Sequence, residues 1–144
     1  MLVQQILKGK SAEGVVTLQP GASVSDAAAL LSEKKIGTVV VSADGSSADG
    51  ILSERDIVRE LGKRGSGCMA DTVDALMTKK LVTCARGDNA DAILSKMTEG
   101  RFRHMPVVED GEMVGLITLG DVVKARLSQL AMEKQALEGM IMGH

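Results

Sequence analysis

Apolar and polar positions along the chain follow two periods, and the switch between them occurs twice in the same order. His104 to Glu109 is an apolar run, Asp110-Gly111 is a turn pair, and Met113 to Thr118 is a second apolar run. Asp-Gly between two such runs predicts a hairpin, because both residues tolerate positive φ. After Thr118 the spacing becomes helical, with Asp121 in the first turn. The stretch from Lys34 to Asp56 repeats the pattern in weaker form. Ile36 to Ser42 is a β-branched run and so a buried strand; Ala43 to Ala48 is a polar loop, and Gly50 to Ser53 is the next strand. A helix is predicted over Asp56 to Leu61. Upstream, Val15 to Leu18 and Leu81 to Cys84 read as strands. Ser23-x-x-Asp26 and Asp88-x-x-Asp91 read as helix starts for Ala27 to Lys34 and Asp88 to Thr98. Short helical segments are expected at 2–8 and at Val73 to Met77.

These elements form an internal repeat. Gly50-Ile51-Leu52-Ser53-Glu54-Arg55-Asp56 aligns with Gly115-Leu116-Ile117-Thr118-Leu119-Gly120-Asp121, 65 positions later, and Val16-Thr17 aligns with Val82-Thr83. A repeat covering nearly the whole chain sets the fold question before any other. Its expected boundaries are 1–66 and 67–130, followed by a helical extension over 131–144. Gly62 to Gly67, reading GKRGSG, is by composition a flexible linker between the copies. In the extension, Val123, Leu127, Leu130, Leu137 and Ile141 keep a 4-3 spacing that Lys134 interrupts. Two readings suit that stripe: a helix folded back on its own domain, or an extension joining two chains.

Composition narrows the chemistry. Hydrophobic residues make up 44% of 144, but aromatics only 1%, so the core is built from Val, Ile, Leu, Met and Ala. The net charge of −2, with no basic tail, lacks the electrostatic footprint of a nucleic-acid binder. No apolar run approaches the ~20 residues that span a bilayer, and no secretory signal pattern opens the chain. A soluble cytoplasmic protein is expected. Cys68 and Cys84 form no CxxC pair, and His104 and His144 have no zinc-ligand spacing. Cys84 reads as a small buried apolar residue, whereas Cys68, in the glycine-rich linker, suits an exposed thiol. Gly9-Lys10-Ser11 mimics the end of a phosphate loop, but a helix rather than a strand precedes it and the earlier glycine is missing.

What remains is a set of groups suited to a nucleotide. Arg101, Arg103 and His104 precede one strand, and a hydroxyl and a carboxylate follow the next. Arginines pair with phosphate oxygens, and a carboxylate accepts hydrogen bonds from ribose hydroxyls.

The twofold β-α-β-β-α phrase, each copy ending in G-apolar-apolar-[ST]-x-x-D, resembles a pair of cystathionine-β-synthase-type (CBS) domains. RHMPVV and GLITLGD are its most specific pieces. The resemblance implies an α/β (α+β) fold of two repeats related by a pseudo-twofold, here a stand-alone pair without an attached enzyme or transporter domain. It also implies two nucleotide sites, each combining strand starts of one copy with the [ST]-x-x-D of the other. One would comprise Thr17, Lys35, Ile36, Gly37 and Thr38 with Thr118 and Asp121. The second would comprise Thr83, Arg101, Arg103, His104, Met105 and Pro106 with Ser53, Arg55 and Asp56. In this scheme Asp56 and Asp121 hold ribose, Ser53 and Thr118 donate to phosphate, and Ile36 and Met105 flank the adenine. Gly37-Thr38 is taken to stand where the second copy has Met105-Pro106, and Phe102 to be core filler. The bland reading of both carboxylates is a first-turn helix position favoured by the dipole.

The implied function is an adenine-nucleotide-binding regulatory module, for AMP, ATP or NAD(H), with no catalysis and no metal required for the fold. The implied partners are a second copy of the chain and a regulated protein, with neither nucleic acid nor membrane. The alternatives are a structural homodimer without ligand and a nucleotide-hydrolysing enzyme.

Overall fold

A computed structural model describes residues 1–10 and 14–141. Its contacts divide the chain into two compact units. One is built on the first repeat, runs to Val82 and includes the hairpin tip Asp110–Val114. The other comprises Thr83–Glu109, the chain from Gly115 onward, and the amino-terminal segment.

In the first-repeat unit, β1 (Thr17–Leu18), β2 (Thr38–Val41) and β3 (Gly50–Ser53) form one sheet in that order. β2 is central, parallel to β1 (Thr17 opposite Val40) and antiparallel to β3 (Val40 opposite Ile51). Its sequence TVVV is buried along its whole length, which is why it reads as an unbroken β-branched run rather than an alternating one. Helix α2 (Val24–Lys34) lays Val24, Ala27 and Leu31 on this sheet. With Val39, Val41, Leu52, Ile57 and Val73 they form the core. The Ser23 hydroxyl caps α2, accepting the Asp26 N–H at 3.0 Å, as its sequence pattern predicts. At the other end Lys35 takes a left-handed conformation (φ 55°), and the Ile36 N–H bonds back to the Leu31 carbonyl at 3.1 Å.

Helix α3 (Glu54–Arg64) is longer than the Asp56 to Leu61 prediction at both ends. The expected flexible linker is instead the end of α3 followed by a 3₁₀ helix, Gly65–Ala70. Glycine content alone does not make this segment loose. Gly65 is used once, at φ 73°, to turn the chain, and Arg64 then ties the turn down with bonds to Glu60 (2.8 Å) and Asp71 (2.6 Å). Cys68 is accordingly fully buried rather than exposed. Helix α4 (Val73–Leu76) follows.

The second-repeat unit contains α5 (Ala90–Gly100), the β4 (His104–Glu109) and β5 (Glu112–Thr118) hairpin, and α6 (Leu119–Ile141). Asp110 (φ 52°) and Gly111 (φ 79°) make the turn that their sequence predicted. Asn89 rather than Asp88 caps α5, its side-chain oxygen accepting the Asp91 N–H at 2.8 Å; the Asp88 carboxylate closes a turn to the Ala85 N–H instead.

The strand predicted over Leu81 to Cys84 shrinks to a single parallel bridge, Cys84 with Val107. In the first repeat the Val40 N–H bonds the Val16 carbonyl, and the Ser42 N–H bonds Leu18. The Val108 N–H bonds Cys84 in the same way, but Pro106 stands in the place of Val40 and has no N–H to donate. One missing donor is enough to end a two-residue ladder. Burial pushes the Cys84 thiol up to about 11, which fits an inert core residue.

Each unit also receives a short helix from the segment that precedes the other repeat. Helix α1 (Val3–Gly9) bonds the second repeat, the Val3 N–H to Asp88 at 2.9 Å, with Leu2 bridging Asn89. Helix α4 does the same for the first, the Val73 N–H to Ala22 at 2.8 Å, with Thr72 bridging Ser23. The correspondence extends to side chains. A Cβ on Gly50 would lie 2.3 Å from the Met77 sulfur, and one on Gly115 2.6 Å from a Leu7 methyl. The glycine that opens each G-apolar-apolar-[ST] phrase is therefore the notch for a large side chain at the end of that helix, Leu7 in α1 and Met77 directly after α4.

Candidate functional site

The [ST]-x-x-D phrases are first of all reciprocal helix caps. At α3, the Ser53 hydroxyl accepts the Asp56 N–H (3.3 Å), and Asp56 accepts the Ser53 N–H (2.9 Å) and hydroxyl (3.0 Å). Arg59 adds a bond to the other carboxylate oxygen at 2.7 Å, and Asp56 is buried. At α6, the Thr118 hydroxyl accepts the Asp121 N–H (3.1 Å) and the Asp121 Oδ2 accepts the Thr118 N–H (3.0 Å). This is a capping box with Asp in the place of the usual Glu or Gln. It is a more specific role than the dipole reading allows.

Asp121 also accepts a 2.8 Å bond from the Lys10 ammonium, which reaches the Leu116 carbonyl as well. Burial alone would raise the Asp121 carboxyl, but Lys10 and the Thr118 N–H outweigh it and hold the group below the usual carboxylate range. Lys10 was singled out only as part of a phosphate-loop look-alike; Ser11 of that triplet lies outside the described residues. Its role joins residues 111 positions apart and had no sequence signal.

The basic residues occupy matching places. Arg101 ends α5 in the left-handed conformation (φ 55°), as Lys35 ends α2, and the Phe102 N–H bonds Met97 as the Ile36 N–H bonds Leu31. Two further bonds fix the register: Glu54 N–H to the Gly37 carbonyl, and Leu119 N–H to the Arg103 carbonyl. Gly37 and Thr38 therefore correspond to Arg103 and His104, not to Met105 and Pro106. The equivalents of Met105 and Pro106 are Val39 and Val40, all four buried. Met105 is fully buried in β4, so its side chain serves the core. The counterpart of Ile36 is Phe102, half-buried like it and packed over Gly100.

Within the first-repeat unit, Lys35, Ile36 and Gly37 converge on a cavity of about 460 Å³ between α2 and α3, bounded also by Leu31, Glu54 and Ile57. Neither Thr17, half-buried on β1, nor Thr38, buried on β2, lines it. Arg55 is exposed on α3. In the second-repeat unit Arg101, Arg103 and Thr83 are exposed, while His104 is half-buried at the start of β4. Glu54, Ile57 and Lys10 are the site neighbours that sequence reasoning missed. Among the described residues no group of three His, Cys, Asp or Glu side chains is placed to hold a metal, and no helix is long and apolar enough to cross a membrane.

Comparison with known proteins agrees with this repeat. A CBS-domain-containing protein of Agrobacterium tumefaciens, known from its crystal structure, is 42% identical, with a TM-score of 0.82 over 88% of this chain and 99% of that one. A mitochondrial CBS-domain-containing protein of Arabidopsis thaliana is 33% identical over 94% of this chain and 68% of its own length. Longer Arabidopsis relatives are matched over less than a quarter of theirs, for example 23% at 28% identity. A CBS-domain pair solved in complex with 5′-methylthioadenosine and S-adenosyl-L-methionine shares the fold, with a TM-score of 0.76 and 23% identity over 90% of this chain and 98% of that one. The CBS-domain family model matches twice, at residues 11–63 and 73–128. This chain belongs to the CBS-domain family and carries two copies of the domain.

Proposed function

We propose that the chain is a cytoplasmic, non-catalytic regulatory module that binds an adenine nucleotide (AMP, ATP or NADH) and acts as a homodimer on a regulated protein. The observation that carries this reading is the duplicated polar frame. Each repeat sets a basic residue in a left-handed helix cap, Lys35 or Arg101, and follows it with a hydroxyl-carboxylate cap at a helix start, Ser53–Asp56 or Thr118–Asp121. Cations suit phosphate, and aspartates suit ribose. The cavity beside Lys35 falls in the range of about 300–1,000 Å³ usual for small-ligand sites. The adenosine ligands of the related pair support the ligand class.

Against a metal-dependent hydrolase stands the lack, among the described residues, of a group of three His, Cys, Asp or Glu side chains placed to hold a metal. Val58 and Leu61, apolar side chains exposed on α3, support the second copy. The test is calorimetry and thermal shift with AMP, ATP and NADH, followed by analysis of the nucleotide for products. Binding without turnover is expected. Hydrolysis would favour the enzyme, and no response to any nucleotide would favour the structural dimer.

A further inference from the structure

Helix α6 is anchored only at its start. Val122 and Ala125 are buried, and Arg126 reaches Asp91 on α5 at 3.7 Å. From Leu127 to Ile141 no side chain is buried, so of the two readings of the apolar stripe the fold-back does not occur: Leu127 is 62% exposed, Leu137 59% and Ile141 83%. Fifteen helical residues without tertiary support are marginal in water, and a continuous apolar seam on them calls for a partner.

The seam identifies its own partner by charge. Val123, Leu127, Leu130, Lys134, Leu137 and Ile141 follow alternate spacings of four and three, the two inner positions of a coiled coil. A parallel pair of these helices would stack Lys134 on its counterpart in one layer. It would also place Glu133 beside Glu138 of the partner subunit. Reversing one helix removes the lysine stack and the Glu133–Glu138 contact, and the one like-charge contact that remains, Glu133 beside Glu133 of the partner subunit, is flanked by both Lys134 ammoniums. With Leu127 opposite Leu137 of the partner subunit, Lys134 faces an apolar Leu130 layer and stands next to Glu133 across the seam. Lys124 then comes beside Glu138 of the partner subunit, and the small Ala131 meets Ala131 of the partner subunit next to the twofold axis, which passes level with Met132.

We propose that α6 pairs antiparallel with α6 of a second copy, in the register that sets Leu127 against Leu137. This deepens the homodimer reading above and rests on it. An antiparallel pair is self-complementary and closes at two chains, so it creates no open polymer.

The test uses the full chain with single cysteines added at Leu127→Cys or Leu137→Cys, the native thiols of Cys68 and Cys84 being buried. Mild oxidation should cross-link neither variant alone but should cross-link an equal mixture of the two. Cross-linking of Leu137→Cys by itself would establish a parallel pair and overturn the proposal. Sedimentation separates this from the wider reading: a dimer whose mixture does not cross-link refutes the register alone, and a monomer refutes both. Lys134→Glu, which sets two glutamates beside Glu133, should weaken the dimer about tenfold or more. Lys134→Leu should tighten it by removing the polar interruption. Equal dimer constants for these two variants would also overturn it.

Discussion

Replacing Asp121 separates the two roles its position allows. Asp121→Ala removes the acceptor for the Thr118 N–H and the partner of Lys10. Loss of a helix cap costs about 0.5–2 kcal/mol, and a half-exposed ion pair adds at most about 1 kcal/mol. The melting temperature should therefore fall by several degrees without unfolding the chain. Asp121→Asn keeps a side-chain oxygen for the cap and gives up the ion pair, so it should lose less. If the carboxylate also holds a ribose, both variants should bind adenine nucleotide at least about tenfold more weakly at one site, since hydrogen bonds to a charged group contribute about 1.5–3 kcal/mol. Calorimetry reads affinity and stoichiometry, and melting reads the cap. A variant Asn protein with parental affinity and site count would refute the ribose role, and an Ala protein melting like the parent would refute the capping role. The pH dependence gives a further check. The folded carboxyl titrates below its usual range, so its stabilisation is complete above the unfolded value of about 3.9 and is lost as pH falls through the folded one. The stability gap between parent and Asp121→Asn should close in acid.

Two other outcomes follow from the fold. Arg64→Ala should lower stability by about 1 kcal/mol or less and increase sensitivity to proteases around Gly65, while leaving nucleotide affinity unchanged; a tenfold loss of affinity would place that segment in the site. Gly115→Ala should cost about 1–3 kcal/mol through overpacking against Leu7. Leu7→Ala in the same chain should recover part of that loss in a double-mutant melting analysis, and strict additivity would show that the two positions do not meet.

The parts of the fold legible in sequence were those that depend on local spacing. The Asp110-Gly111 turn, the Ser23 cap and the buried β2 run each announce themselves within a few residues. Failures came where a distant or missing group decides. The strand before Cys84 looked as good as its counterpart, and only the absent N–H of Pro106, 22 positions away, shortens it. The GKRGSG stretch looked loose because composition does not show Arg64 reaching Asp71. At the candidate site, the [ST]-x-x-D phrases were visible, as was the basic character of Lys35 and Arg101. The alignment of Gly37 with Arg103 was not, because it is set by backbone bonds from Glu54 and Leu119 rather than by residue type. Nor was Lys10, whose partners lie more than a hundred positions downstream.

The exchange of short helices between repeats sets a timetable for synthesis. Helix α4 leaves the ribosome directly after the sheet and helices it completes, so the first-repeat unit lacks only the hairpin tip Asp110–Val114 once Val82 is made. Helix α1 is made before both repeats but can dock only when Asp88, α5 and the β4–β5 hairpin have followed. At about 5–20 residues per second, residues 3–9 wait several seconds, with the apolar side chains of Val3 and Ile6 unburied until their seats exist. A helix made before either repeat is thus among the last to find its place, and Lys10 completes the cap of α6 only when it does.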